Sequence, residues 1–376
     1  MSSKKLRSSV QCRSAAIKGL GALGLSGIFP GSSWTQPKPV IVRKNLLSAL
    51  AQTFRGSLVG LLLGLVFLGT ASAQSEFPSR PLTIVIPFPP AGSTDVLGRI
   101  LAQSMSKYLQ QSVVIENTGG AGGTIGAAKV ARAQPDGYTI LFHNMAQASA
   151  PALYARLTYD PVADFEPIGI VTEVPMILVA RKDLPAASLQ SILSFAKTNP
   201  DKLNFANAGI GATSHLCEVL MKSATGVKWT SVPYKGTGPA LNDLLGGQVD
   251  LICDQPASTL GHIKSGSLKP VAVATRSRLK SLPEVPTFAE SGLPGFELAV
   301  WHGLYAPKGT PKVVVEKIAA ALRQALRDPA LVQRFQDMSA QIASQDQATP
   351  DSLRSFLKTD VDRWKVALKN AGVQPE

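Results

Sequence analysis

Apolar runs of strand length alternate with helical runs along most of the chain beyond residue 80, and this alternation limits the fold more than any other feature. Strands are expected at Leu82–Ile86, Val113–Glu116, Thr139–Phe142, Ile168–Val171, Met176–Ala180, Leu203–Ala206, Leu251–Asp254 and Val271–Ala274. Helices are expected at Val96–Tyr108, Thr124–Arg132, Leu189–Thr198, His215–Thr225, Pro239–Leu245 and Pro311–Arg327, with helix continuing to Asn370 apart from breaks at Pro329 and near Thr349-Pro350. Strand–helix–strand alternation implies an α/β fold of parallel sheets with crossover helices. Such sheets bind ligands beyond the carboxyl ends of their strands.

Two of the strand ends carry the same kind of turn. The first, Pro87-Phe88-Pro89-Pro90-Ala91-Gly92-Ser93-Thr94-Asp95, joins an apolar strand to a helix, with Ser93 and Thr94 as natural N-caps. The second runs from Asn207 through Ala208-Gly209-Ile210-Gly211-Ala212-Thr213-Ser214 into His215-Leu216-Cys217. Free N–H groups in the first turn of a helix bind anions, aided by the helix dipole. The plainer reading is a strand–helix turn whose N–H groups meet only their own caps. Two such turns far apart in sequence point to two lobes gripping one acidic ligand from opposite sides.

The basic balance belongs to the leader. Nine of the 38 Lys and Arg residues, and none of the 25 Asp and Glu residues, fall within residues 1–73, which leaves 29 basic against 25 acidic residues in the remainder. That is an ordinary soluble surface with no signature of nucleic-acid binding. Leu58–Leu68 is an apolar core preceded by Arg43, Lys44 and Arg55 and followed by Ala71-Ser72-Ala73. It reads as a secretory signal cleaved after Ala73, since a membrane anchor needs roughly twenty apolar residues. Residues 1 to about 40 read as a misassigned start or a long n-region. Cys217 and Cys253 remain after cleavage. Pairing is open to them in an exported chain, but two buried free thiols are the favoured reading.

The ordered series of short motifs resembles the substrate-binding receptors of tripartite tricarboxylate transporters, the Bug family. It comprises Pro87–Asp95, Glu116-Asn117 with Gly119–Gly126, Pro135–Thr139, Asn207–Leu216, Val232–Thr237, Pro239-Ala240-Leu241, Leu244–Asp250, Pro283–Thr287 and Leu304–Pro311. The resemblance covers essentially everything after the leader. It implies a bilobed periplasmic binding-protein (Venus flytrap) fold of two mainly parallel-sheet lobes: 74–179 as the first part of lobe 1, 180–299 as lobe 2, and 300–376 returning to lobe 1. The two hinge crossings are expected near Val179–Arg181 and Ala299–Trp301.

In that family the two turns hold carboxylates through backbone N–H groups, hydroxyls and ordered waters. Carried over residue by residue, this places Phe88, Pro90, Ala91, Gly92 and Ser93 on one wall, and Gly209, Gly211, Ala212, Thr213 and Ser214 on the other. Ligand contact is favoured over capping for Thr213. Ala91-Gly92 departs from the Gly-Gly usual in the first turn. Asp95 belongs to the same site, but as a residue that orients the loop rather than one that meets an anion. Asn144 is an amide contact, and His143 beside it departs from the small residues usual there. Asp254 is either a strand-end turn residue or an acceptor for a hydroxyl, an amine or a protonated acid on the ligand. His215 is a helix-start or core histidine.

Catalysis has little footing. The chain lacks G-x-S-x-G, H-E-x-x-H, C-x-x-C and Walker A motifs, its four histidines are scattered, and the Gly119–Gly126 run is not a dinucleotide fingerprint. The expectation is therefore a monomeric, non-enzymatic periplasmic receptor without metal or cofactor. It would capture a small organic acid for the membrane permease subunits of a tripartite transporter, with a sensor kinase as the alternative partner and an enzyme of the same fold as a third reading.

Overall fold

The computed structural model describes residues 76–186 and 188–375; the leader, with the apolar core 58–68 and the expected cleavage site, lies outside them. The chain runs β1 (Leu82–Ile86), α1 (Ser93–Leu109), β2 (Val113–Asn117), α2 (Thr124–Ala131), β3 (Thr139–Asn144), a short α3 (Ala146–Ser149) and the long β4 (Phe165–Pro175). It continues with β5 (Ile177–Arg181), α4 (Leu189–Thr198), β6 (Asn204–Asn207), α5 (Thr213–Thr225), β7 (Thr230–Pro233), α6 (Thr237–Leu245), β8 (Leu251–Asp254), α7 (Pro256–Lys264) and β9 (Leu268–Val273). The last elements are β10 (Ala299–Pro307), α8 (Lys312–Ala325), α9 (Pro329–Asp337), β11 (Gln341–Ile342) and α10 (Pro350–Asn370).

Two sheets organise these elements, one of six strands ordered β11-β4-β10-β3-β1-β2 and one of five ordered β7-β6-β8-β5-β9. Each sheet is mixed rather than mainly parallel. Its parallel half is β3-β1-β2 in the first sheet and β7-β6-β8 in the second. The antiparallel pairings involve β4, β5 and β10, which flank the passages between the sheets. The nine-residue β10 has no counterpart among the sequence-expected strands. Its burial is continuous from Val300 to Pro307, so it carries no period-2 signal.

The chain leaves the first sheet at Pro175 and enters the second at Ile177, so Val179–Arg181 lies inside β5. The return passes through Leu298 into β10. The two passages are bonded to each other. The Met176 N–H donates to the Leu298 carbonyl at 3.1 Å, Ala274 N–H to Met176 at 2.8 Å and Leu298 N–H to Ala274 at 3.0 Å. Adjacent crossover segments of this kind are where hinge motion between two lobes acts in proteins that close on a ligand.

Packing follows the apolar pattern. α1 buries Leu97, Ile100, Leu101, Met105 and Leu109 at helical spacing, and α8 does the same with Val315, Ile318, Ala319, Leu322 and Ala325. β1 is buried on both faces at Ile84, Val85 and Ile86, as a central strand between helical layers must be.

Cys217 and Cys253 correct the free-thiol expectation: they form a disulfide, with Cα atoms 6.2 Å apart and a sequence separation of 36. The first turns of α5 lie over β8, which brings the two positions within bonding reach. A chain of residues 74–376, denatured without reductant, should show essentially no reactive thiol, and two after reduction. Replacing both cysteines with Ser should cost about 4 kcal/mol of unfolding free energy, the chain-entropy value for a loop of this length. Two reactive thiols before reduction would contradict the bond.

Candidate ligand-binding site

Residues at the starts of helices from both sheets converge on one small cavity of about 20 Å³, lined among others by Phe88, Pro89, Asn144, Ala208 and Ala212. Among the described residues, four helices begin at its wall: α1 at Ser93 and Thr94, α5 at Thr213, α6 at Thr237 and α7 just after Gln255. Each follows the carboxyl end of a strand, β1, β6, β7 and β8 respectively. The first-turn N–H groups of a helix have no partner within it, and the aligned peptide dipoles add partial positive charge there. Because α7 opens on Pro256, which has no N–H, the donors come from the starts of α1, α5 and α6, and such ends around one space favour an anion.

The side chains at these ends are not the caps that the sequence suggested. Gly92 is the cap of α1 and Ala212 the cap of α5, neither with a side-chain capping bond. Ser93 and Thr213 are therefore first helical residues, and their hydroxyls are released from capping. The Ser93 Oγ is buried without a hydrogen-bond partner. Thr94 Oγ1 instead joins lobe 1 together, accepting from Asn144 Nδ2 at 3.1 Å and lying 3.3 Å from His302 Nε2. The Asn144 Oδ1 accepts from the Ala146 N–H at 3.0 Å, so this amide is fixed as part of the floor.

The other expected site residues fall into two groups. Gly209, with Phe88, lines an adjoining recess of about 320 Å³ that also takes in Gly120–Gly123, Tyr154, Ile210 and Lys235. Pro90, Ala91, Asp95, Gly211 and Ser214 line neither space. Ala91 and Pro90 are exposed. Ala91 sits at φ +66°, the left-handed region that favours glycine, which gives the Gly-Gly of the family pattern a physical reason. Asp95 holds that conformation in place. Its Oδ2 accepts from the Ala91 N–H at 3.0 Å and from Arg99 Nε at 2.9 Å, and its Oδ1 accepts from Asn117 Nδ2 at 2.9 Å. Asn117 Nδ2 also donates to the Phe88 carbonyl at 3.0 Å. Burial pushes the Asp95 carboxyl up, but Arg99, Asn117 and the Ala91 N–H outweigh it and hold it below the ordinary value. In the second turn, Ser214 Oγ accepts from the Ala208 N–H at 2.8 Å, and the Gly211 N–H donates to His215 Nδ1 at 3.3 Å. Both residues shape the loop.

The lobes touch across the cleft. Tyr154 O–H donates to the Ile210 carbonyl at 2.8 Å. Gly122 admits that approach: a Cβ there would stand 2.4 Å from the Ile210 oxygen. Sequence reading missed Tyr154, Thr237 and Gln255. Thr237 was within sight, because it follows Gly236 in a quoted motif and opens a helix; Tyr154 stands in an irregular loop with no such signal.

Asp254 is the one acidic side chain lining the cavity among the described residues. Its Oδ1 accepts from the Gln255 N–H at 2.8 Å, while Oδ2 is buried without a partner. Burial pushes this carboxyl up to about 6, against the Thr237 and Ser258 hydroxyls and the Gln255 N–H, which pull it down. Burial likewise pushes His143 and His302 down to about 3, so both are neutral at pH 7. His143 Nδ1 accepts from the Asn144 N–H at 2.8 Å, and its ring packs edge-on against Phe88.

The sign of the linkage is testable. An acid whose folded pKa is raised adds stability that is full below its unfolded value near 4 and is lost as pH rises through about 6. The two histidines act oppositely, losing stability as pH falls below their unfolded value, but they are common to wild type and variant. The unfolding free energy of ligand-free Asp254→Asn minus that of wild type should therefore rise by ~2 kcal/mol between pH 4 and pH 7. A difference flat with pH in urea titrations would mean that Asp254 does not titrate in this window.

The chain matches the family model described as "Tripartite tricarboxylate transporter family receptor" over residues 97–373. Among solved structures, it is 47% identical to the periplasmic binding protein BugD, covering 80% of this chain and 100% of that one with a TM-score of 0.78. MatC from Rhodopseudomonas palustris with bound malate is 38% identical, with 78% and 100% coverage and a TM-score of 0.75. The R. palustris protein Rpa4515 with adipate is 34% identical, with 80% and 100% coverage and a TM-score of 0.76. This chain belongs to the tripartite tricarboxylate transporter receptor family, whose Bug members the sequence motifs resemble.

Proposed function

We propose that the chain is an extracytoplasmic solute receptor that closes on one small organic carboxylate and presents it to the membrane permease of a tripartite transporter. The observation that carries this is the convergence of four helix N-termini, drawn from both sheets, on one cavity between them. A ligand that meets N–H groups on both sides stabilises the closed arrangement by contacts that the open one lacks. Similar proteins bind malate and adipate, two dicarboxylates of different length. That difference accords with a short inner chamber for one carboxylate and a wider recess for the remainder.

Export through the cleavable signal places the receptor in the periplasm, as a monomer acting on a small molecule. Among the described residues no helix is long and apolar enough to cross a membrane, and no cluster of His, Cys, Asp and Glu fits a metal ion. No feature of the site favours the sensor-kinase partner. On this reading the receptor leaves its ligand intact, and the one hydroxyl beside a buried histidine, Thr94 Oγ1 at 3.3 Å from His302 Nε2, is engaged by Asn144 Nδ2.

A thermal-shift screen of residues 74–376 against a panel of mono- and dicarboxylic acids tests this reading. At least one acid should raise the melting temperature, bind at one site per chain and be recovered unchanged; a panel with no binder, or an acid converted on incubation, overturns it. For the acid found, Thr213→Val should weaken binding by about 1–3 kcal/mol, because a carboxylate oxygen loses a buried donor, with a smaller effect on folding. Unchanged affinity in calorimetry would assign lobe 2's role to backbone N–H groups alone.

A further inference from the structure

The helix ends explain how an acid is held, but not Asp254. Its Oδ2 is buried at the cavity wall with no partner, and the neighbouring Gln255 Oε1 is buried and unpartnered too. A carboxylate ligand brings only acceptors. A plain acid seated among the helix ends sets its carboxylate against that of Asp254, so a proton or a bridging water has to come between them. Taking up that proton at pH 8, above the value of about 6 to which burial raises Asp254, or ordering that water costs free energy. A hydroxyl or ammonium on the ligand removes the conflict by donating to Oδ2. The enclosed space is only about 20 Å³, so the donor must stand on an atom next to the carboxylate, while the rest of the molecule extends into the recess beyond Phe88, Pro89 and Ala208.

Building on the carboxylate reading above, we propose that Asp254 accepts a hydrogen bond from a donor carried beside the ligand's carboxylate, so that this receptor selects 2-hydroxy or 2-amino acids over plain carboxylic acids. The donor arm comes from the starts of α1, α5 and α6, and the acceptor arm from the end of β8. The Cys217–Cys253 disulfide, directly before Asp254, ties that strand end to α5, so both arms of lobe 2 move as one piece. A single site then reads charge with one set of groups and the adjacent substituent with another.

The test is calorimetry at pH 8 with acids matched in carbon skeleton: succinate, malate and aspartate; propionate, lactate and alanine; glutarate, 2-hydroxyglutarate and glutamate. Within whichever series binds, a donor-bearing member should bind at least about tenfold tighter than its plain analogue, the factor a hydrogen bond to a charged acceptor gives. The hydroxy and amino members separately tell which donor is read. In Asp254→Asn, checked for native folding by circular dichroism, the preference should shrink to within about threefold. Equal binding within a series, or a preference that survives in Asp254→Asn, overturns the proposal and leaves the carboxylate reading intact. Binding of plain acids alone also overturns it. No binding by any acid overturns both.

Discussion

The backbone N–H groups that a helix leaves unpaired in its first turn are the constraint on which this molecule turns. Four helices begin at one cavity, and each can do so because it follows the carboxyl end of a strand. The parallel halves of the two sheets, β1 and β3 on one side and β6, β7 and β8 on the other, bring those ends together. The antiparallel strands do different work. β4, β5 and β10 carry the chain across between the sheets, and the bonds among Met176, Ala274 and Leu298 make the crossing a paired, two-segment joint. Site and hinge are thus built from opposite halves of the same sheets.

The groups around the site divide by what they leave unsatisfied. Asp95, Asn117, Ser214 and Asn144 spend their hydrogen bonds on the loops and floor. This uses up the polar atoms that would otherwise compete with a ligand and fixes the N–H groups in place. Ser93, Asp254 and Gln255 keep an atom with no protein partner. On the proposed reading, preorganisation and recognition fall to different residues, though they are close neighbours in sequence; Ser93 and Asp95 are two positions apart.

Much of this was legible in the sequence, for reasons that particular segments show. The strand Leu251–Asp254 and the helix Leu189–Thr198 stand where the pattern put them, because apolar length and helical spacing report burial directly. The two turns were visible from Gly, Pro, Ser and Thr at strand ends. Capping of the first turn was misjudged because Ser93 and Thr94 carry cap chemistry, yet Gly92 takes the extended conformation that starts the helix. The disulfide was missed because pairing depends on α5 crossing β8, a long-range packing fact with no local trace. β10 was missed because His302-Gly303 interrupts its apolar run, and burial on both faces leaves no alternation to carry the signal across the break. Tyr154 reaches Ile210 only when the lobes meet, and no local pattern encodes that.

Closure itself poses an energetic question that the unsatisfied atoms answer. Direct contact between the lobes includes the Tyr154 to Ile210 bond and the close fit of Gly122 and Gly236 against Ile210 and Pro89. Such a bond contributes only about 1 kcal/mol net. Against it stand polar atoms on both lobes, Ser93 Oγ on one and Asp254 Oδ2 and Gln255 Oε1 on the other, each costing about 1–3 kcal/mol when buried without a partner. Water satisfies these atoms when the lobes part. On the proposed reading these atoms weigh against closing on nothing, and a molecule that supplies acceptors for the N–H groups and a donor for Asp254 offsets them. The atoms proposed to select the ligand would then make the closed state conditional on it.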